Sequence, residues 1–381
     1  MDPRSLRGSR VIQVNSSTSM NLLFLTHSDL SKRPYGDGST RYRSFNVAEV
    51  AVAFGHTAQV EEVSRLRLKD LTRFDLISWL RPVQSLKARR IIRRAKQLGI
   101  ACVADVDDLI FDPHLAAESP AVCNGFTSRK VVETQFRESA RLIEQFDAIT
   151  VSTTALLEHC KRCFPQVASA VVRNGLSDYW LQHADRTPGN GVSSTSAAYL
   201  PGTRSHDQDF ATICEPLSRW LKDASDRSLQ IIGRLEYDAH RLPASQVEHF
   251  PWMDYYALPS AINRQRVTLA PLTHSQFNDA KSHIKFIESA ALGVPLIARP
   301  IDDLTQHQCR GLLFADCQSQ WYDALAHISE PHFLDDARSR LMDYARQSCT
   351  ASNYTKPLIE AWEQGELLPT GSSEMPYLNA A

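Results

Sequence analysis

No run of about 18 apolar residues occurs in the 381-residue sequence, which excludes a membrane-spanning helix by hydropathy. The first residues also lack the apolar core of a secretion signal, so the expected compartment is the cytoplasm. Net charge is scarce as well: 42 basic and 43 acidic residues leave −1, and no nucleic-acid partner is expected from global charge. The 8 cysteines are scattered. Only Cys160 and Cys163 in "HCKRC" lie close, and no second pair follows at zinc-site spacing, so reduced thiols are expected. No repeat of solenoid period is visible. What is present is a globular profile, 43% apolar and 22% charged, in a chain long enough for two cores.

Short apolar segments alternate with helix-length stretches. "NLLFLT" (21–26), "DLISWL" (75–80), "IACVADV" (100–106), "DAITVS" (147–152) and "ASAVVR" (168–173) form one set. "AAYLPG" (197–202), "SLQIIG" (228–233), "RVTLAPL" (266–272), "VPLIA" (294–298) and "GLLFA" (311–315) form another. Apolar strands separated by helices indicate parallel sheets covered on both faces. The expected organisation is a flexible lead-in (1–19), a first α/β domain (20–182) and a Gly/Ser/Thr/Pro-rich linker (183–196). A second α/β domain (197–345), a last helix packing back on the first domain (346–364) and a flexible tail (365–381) follow. Ligands of such sheets bind beyond the carboxyl ends of the strands, which places a site between the halves.

Charges interrupt this pattern in three places. In "AKSHIKFIESAALGVPLIARP" a helix from about 282 leads through a Gly-x-Pro turn into a strand. Its N-terminus favours phosphate, with Lys281 and Ser282 at that end. Lys281, Lys285 and Glu288 recur at i, i+4 and i+7 and so share a face. That face suits a nucleoside diphosphate, with lysines on phosphate and the glutamate accepting from ribose hydroxyls; a Lys285–Glu288 surface pair explains the spacing equally well. "VADVDDLIFD" gathers Asp105, Asp107 and Asp108 at a strand end, where mutual repulsion demands a metal, an arginine or acceptor hydroxyls as partner. One of them, Asp107 or Asp108, is a candidate base toward an acceptor hydroxyl. "SLKARRIIRRAKQLG" (85–99) carries six cations, with Leu86, Ile91, Ile92, Ala95 and Leu98 expected inward. It reads either as a solvated helix face or as a surface drawn to anionic lipid.

The 283–300 passage resembles the nucleotide-sugar signature of GT-B glycosyltransferases of the group 1 (family 4) type. "DAITVSTTALLEHC", "VVRNGLSDYW" and "AYLPGTRSHDQDF" resemble further stretches of that family in the expected order, over about 21–360. The resemblance implies two Rossmann-like doubly wound domains facing across a cleft, and transfer of a sugar from a nucleoside-diphosphate sugar to a saccharide or lipid-linked saccharide. It points to surface-polysaccharide assembly in the cytoplasm, or at the inner face of the membrane on the reading in which residues 85–98 meet anionic lipid. It makes Glu288 the ribose-binding residue, and gives Gly202, Thr203, His206, Arg234, Ser282 and Lys285 to the donor as well. Lys281 with the helix end would stabilise the departing diphosphate, so no metal or cofactor is expected. Arg41 and Arg43, after the glycine loop at 36–38, would face the cleft with Asp105. The family's first glutamate, eight residues before the second, is here Ala280.

Two other readings fit. Asp105 as nucleophile with Asp107 as acid would make a phosphatase or phosphotransferase, with Lys281 and Asp302–Asp303 downstream. The missing glutamate also suits a non-catalytic saccharide- or nucleotide-binding protein of the same fold.

Overall fold

The computed structural model describes residues 19–28, 33–186, 195–202, 206–330 and 332–369. Nearly all of the expected lead-in, residues 187–194 of the expected linker, Thr203, and residues 370–381 of the expected tail lie outside them.

The first sheet contains β1 (Asn21–Thr26), β2 (Thr57–Glu62), β3 (Leu76–Leu80), β4 (Ala101–Val106), β5 (Ala148–Val151) and β6 (Ala168–Val171). Their order is β2-β1-β3-β4-β5-β6, with every neighbour parallel. The second contains β7 (Ser196–Gly202), β8 (Ser228–Gly233), β9 (Val247–Phe250), β10 (Val267–Ala270), β11 (Leu296–Ala298) and β12 (Leu312–Phe314). Its order is β12-β11-β10-β7-β8-β9, again all parallel. Ten strands fall on the ten apolar segments of the sequence. The other two, β2 ("TAQVEE") and β9 ("VEHF"), are edge strands, half solvated and polar, so no apolar run announces them.

Helices cover both faces of each sheet, leaving two apolar cores per domain. The helix Asp178–Arg186 runs into the stretch expected as linker. The last helix, expected over 346–364, spans Ala351–Glu363 and is preceded by a separate helix, Phe333–Ser348; Thr350 caps the later one by accepting from Asn353 N–H. Phe333 and Leu341 pack on the second sheet, whereas Leu358, Ile359 and Trp362 pack on Leu22, Phe24 and Val47 of the first domain. The crossing chain is pinned by Leu176 N–H to Cys349 O and Ala351 N–H to Leu176 O, both 2.8 Å. A Cβ on Gly175 would lie 2.5 Å from Ala351 Cα, so only glycine lets the two segments meet.

The helix Leu86–Leu98 is capped by Ser85 and buries Ala88, Ile91, Ile92 and Ala95, as its periodicity suggests. Leu86 is not inward: it is 74% exposed. It opens the helix, and five residues at 3.6 per turn put it about 140° away from Ile91. Among the described residues, no helix is long and apolar enough to cross a membrane.

Candidate active site

A cavity of about 930 Å³ opens between the two sheets, beyond the carboxyl ends of β1, β3, β7 and β10. The first domain lines it with His27, the turn Gly36–Thr40 and Arg81. The second contributes Gly202, His206, Arg234, Lys281, Ser282, Lys285 and Glu288. Seven of the eight residues expected at the donor therefore meet at one cavity, and Thr203 lies outside the described residues.

The helix begins at Ile284, two residues later than the sequence suggested, so Lys281 precedes it while Lys285 and Glu288 share its face. Asn174, in the "VVRNG" passage, sets the entry to this helix. Its Nδ2 donates to Ser282 Oγ (3.0 Å), its carbonyl pairs with His283 Nε2 (2.8 Å), and its Oδ1 accepts from Arg43 Nη1 (3.2 Å). Lys285 does not form the surface pair with Glu288; its Nζ donates to Leu200 O at 2.5 Å. Burial lowers the Lys285 ammonium from its ordinary range, with Glu288 and Asp209 opposing. Glu288 is 9% exposed and accepts a 3.0 Å hydrogen bond from Tyr42 Oη of the other domain. Burial pushes its carboxyl up to about 7, although Tyr42 and Lys285 pull the other way.

Gly202 ends β7 at φ +72°, a conformation that favours glycine at the point where the chain turns past the cavity. His206 shares a 2.8 Å hydrogen bond between Nδ1 and Asp209 Oδ2. Burial keeps the imidazole below its ordinary range, against the pull of Asp209 and with help from Lys285 and Lys281. Asp209 is itself buried. It lies inside the short helix Asp207–Ala211 and accepts from Thr273 N–H, Thr273 Oγ1 and Asn278 Nδ2, fixing the loop under the cavity. Arg234 has no hydrogen-bond or ion-pair partner among the described residues.

The acidic cluster is arranged differently from the expectation. Each aspartate has its own cation. Asp105 takes a two-pronged pair from Arg43 (2.9 and 2.5 Å) and a bond from Thr150 Oγ1 (2.7 Å). Both partners are 3% exposed, so Asp105 and Arg43 are a buried tie beneath the site and not cleft-facing groups. Arg41 is not cleft-facing either: it pairs with Glu49 at 2.5 Å, and its guanidinium lies 5.3 Å from the Tyr255 ring centre and 5.8 Å from that of Tyr256. The cause is local. Residues Arg41–Phe45 form a π-helical turn, which directs Tyr42 and Arg41 toward the second domain and Arg43 toward Asp105.

Asp107 pairs with Arg81 Nε at 2.5 Å. Burial would raise its carboxyl, but Arg81, Arg43 and Lys281 hold it below the usual carboxylate range. Asp108 faces Lys281, whose Nζ lies 3.2 Å from both its oxygens. The buried Asp105 is closed to substrate, which removes it as a phosphatase nucleophile. Ala280, at the place of the family's first glutamate, is buried and its carbonyl accepts from Thr153 Oγ1 at 3.1 Å. Among the described residues no group of three or more His, Cys, Asp or Glu side chains converges as a metal site.

Sequence reasoning missed His27, Arg81 and Tyr42. His27 and Arg81 directly follow β1 and β3, and a position just past a parallel strand is a usable signal. Arg81 also holds φ at +46°, an uncommon conformation for a residue with a side chain. Nothing in the sequence marks Tyr42, whose partner lies 246 positions away.

Comparison with known proteins agrees with this architecture. Residues 208–356 match the family described as "Glycosyl transferase-like". An α-glucosyltransferase solved with UDP and a 13-mer DNA superposes with a TM-score of 0.64 at 10% identity, covering 91% of this chain and 100% of its own. Anabaena HepE, solved with UDP and glucose, gives 0.57 at 11% identity, covering 90% and 99%. The pneumococcal O-GlcNAc transferase GtfA, solved with UDP and GlcNAc, gives 0.52 at 13%, covering 78% of this chain and 57% of its own. No curated protein sequence matches. The fold is therefore GT-B, and residues 208–356 are similar to the glycosyl transferase-like family.

Proposed function

We propose that the protein transfers a sugar from a nucleoside-diphosphate donor to a hydroxyl of a saccharide or lipid-linked saccharide, in surface-polysaccharide assembly. The observation that carries this reading is the company around the cavity: Lys281, Lys285 and Arg234 beside a buried carboxylate, Glu288. A diphosphate offsets the cations, and the two ribose hydroxyls give the carboxylate the donors it lacks. UDP in the neighbouring structures supports a uridine nucleotide as the first ligand to test.

In this reading Lys285 and Arg234 hold the diphosphate and Lys281 moves to it from Asp108, stabilising the charge that develops on the leaving group. That move uncovers Asp108 as the base for the acceptor hydroxyl. Asp107 is the weaker base, because Arg81 favours its ionised form. Together these cations take the place of a metal. The exposed Leu86 and Val83 beside the arginines of the Leu86–Leu98 helix support contact with an anionic bilayer at the cytoplasmic face.

Calorimetry and turnover with uridine nucleotide sugars test the proposal. UDP should bind, UDP-sugar should be consumed when a saccharide acceptor is supplied, and EDTA should change the rate by no more than a few-fold. Absence of any nucleotide binding overturns the donor site. Loss of all turnover in EDTA with recovery in manganese overturns the metal-free mechanism.

A further inference from the structure

The buried hydrogen bond between Tyr42 and Glu288 joins the two domains at the wall of the cavity. Glu288 lines the cavity, whereas Tyr42 stands behind it, 2% exposed, with its ring 5.6 Å from Tyr255 in an edge-on contact. The groups facing the Glu288 carboxylate are Tyr42 from the π-helical turn, Lys285 on its own helix and Tyr255 from the loop before Leu258–Ile262. Arg41 lies next to Tyr42 and Tyr255. Lys285 is directed to Leu200 O, so the Tyr42 hydroxyl is the group that donates to the carboxylate.

We propose that Tyr42 is a positioning residue for the nucleotide donor: from the opposite domain, its hydroxyl holds one oxygen of Glu288 and leaves the other aimed at the ribose. This rests on the donor-site reading above. A carboxylate with one oxygen tied down presents the second in a fixed direction, and so loses less freedom when ribose binds. The donated bond also favours the ionised carboxylate, which accepts from hydroxyls better than the acid does. The ribose subsite is then complete only while the two domains touch, which couples donor binding to their contact.

The test is UDP calorimetry from pH 6 to 8.5 on the wild type, Tyr42→Phe, Glu288→Gln and Glu288→Ala, with inorganic pyrophosphate as a second probe. The terminal phosphate of UDP itself titrates near about 6. Each profile is therefore read as a ratio to that of Glu288→Gln, which has no carboxyl to titrate. In the wild type that ratio should rise with pH through about 7, as Glu288 ionises. Tyr42→Phe keeps the ring packing and removes only the hydroxyl. It should weaken UDP about 10-fold at pH 7. It should also move the inflection to higher pH, narrow the gap to wild type toward pH 8.5, and leave pyrophosphate affinity unchanged. Tyr42→Phe affinity within two-fold of wild type with the same profile overturns the proposal. So does a loss that is uniform across pH or equally large for pyrophosphate, since that is a packing effect. If Glu288→Ala binds UDP like the wild type, the donor-site reading falls and this proposal with it. If Glu288→Ala weakens UDP and Tyr42→Phe does not, only the role of Tyr42 falls.

Discussion

The two walls of the cleft treat charge in opposite ways. On the first domain the carboxylates of Asp105, Asp107 and Asp108 are each matched by Arg43, Arg81 or Lys281. On the second, among the described residues, Arg234 has no ion-pair or hydrogen-bond partner, the Lys285 ammonium hydrogen-bonds only a backbone carbonyl, and the Glu288 carboxylate only a phenol. A compensated cluster stabilises a fold because every buried charge is repaid locally. An under-compensated one costs stability and gains it back when a ligand brings the missing charge and donors. Lys281 belongs to both walls: without ligand it completes the acidic set, and it lines the cavity where a diphosphate would compete for it.

The largest expected effect breaks the comparison at its shared member. Asp108→Asn should lower turnover by roughly 10²–10⁴ as the loss of a general base, while UDP affinity in calorimetry stays level or rises because Lys281 is released. An equal loss of UDP affinity would assign Asp108 to the donor and not the acceptor. Next, Arg43→Met leaves Asp105 buried without its cation. Urea unfolding should show a loss of roughly 3–5 kcal/mol, and an unchanged midpoint would mean that the pair is not a structural tie. Glu288→Ala should weaken UDP about 10- to 100-fold without lowering the melting temperature much, and Glu288→Gln should lose less affinity, since an amide oxygen still accepts.

A smaller effect sharpens the contrast through pH. Glu288 is raised from 4.5 to about 7 in the folded protein by burial. Its contribution to stability is therefore present below about pH 4.5 and is lost as pH rises through about 7. Glu288→Gln should remove that slope and melt higher than wild type at pH 8, with a gain in unfolding free energy of roughly 1–3 kcal/mol. A lower melting temperature at pH 8 would make Glu288 a net stabiliser. The weakest effect concerns the outer surface of the first domain. Flotation with anionic vesicles at low salt should be lost when Arg90, Arg93 and Arg94 are reversed together, and should decline as salt is raised. No flotation of the wild type leaves the helix as a solvated face.

The alternation of apolar strand and amphipathic helix was legible in the chain, because a parallel strand buried on both faces must be apolar throughout. So was the grouping of Lys281, Lys285 and Glu288, which lie within one short helix and its entry, where local spacing decides which side chains share a face. The edge strands β2 and β9 escaped because solvent on one side relaxes the requirement for apolar residues. The partners of the charges were decided only by the tertiary structure. Arg43 meets Asp105 across 62 positions, Lys281 meets Asp108 across 173, and Tyr42 meets Glu288 across 246. Sequence reports that three neighbouring aspartates need compensation, since repulsion depends on their proximity along the strand end. It does not report which cation arrives, because that depends on the packing of elements far apart in the chain. A π-helical turn of five residues decided that Arg43 would be buried as a tie and that Tyr42 would reach the carboxylate of the other domain.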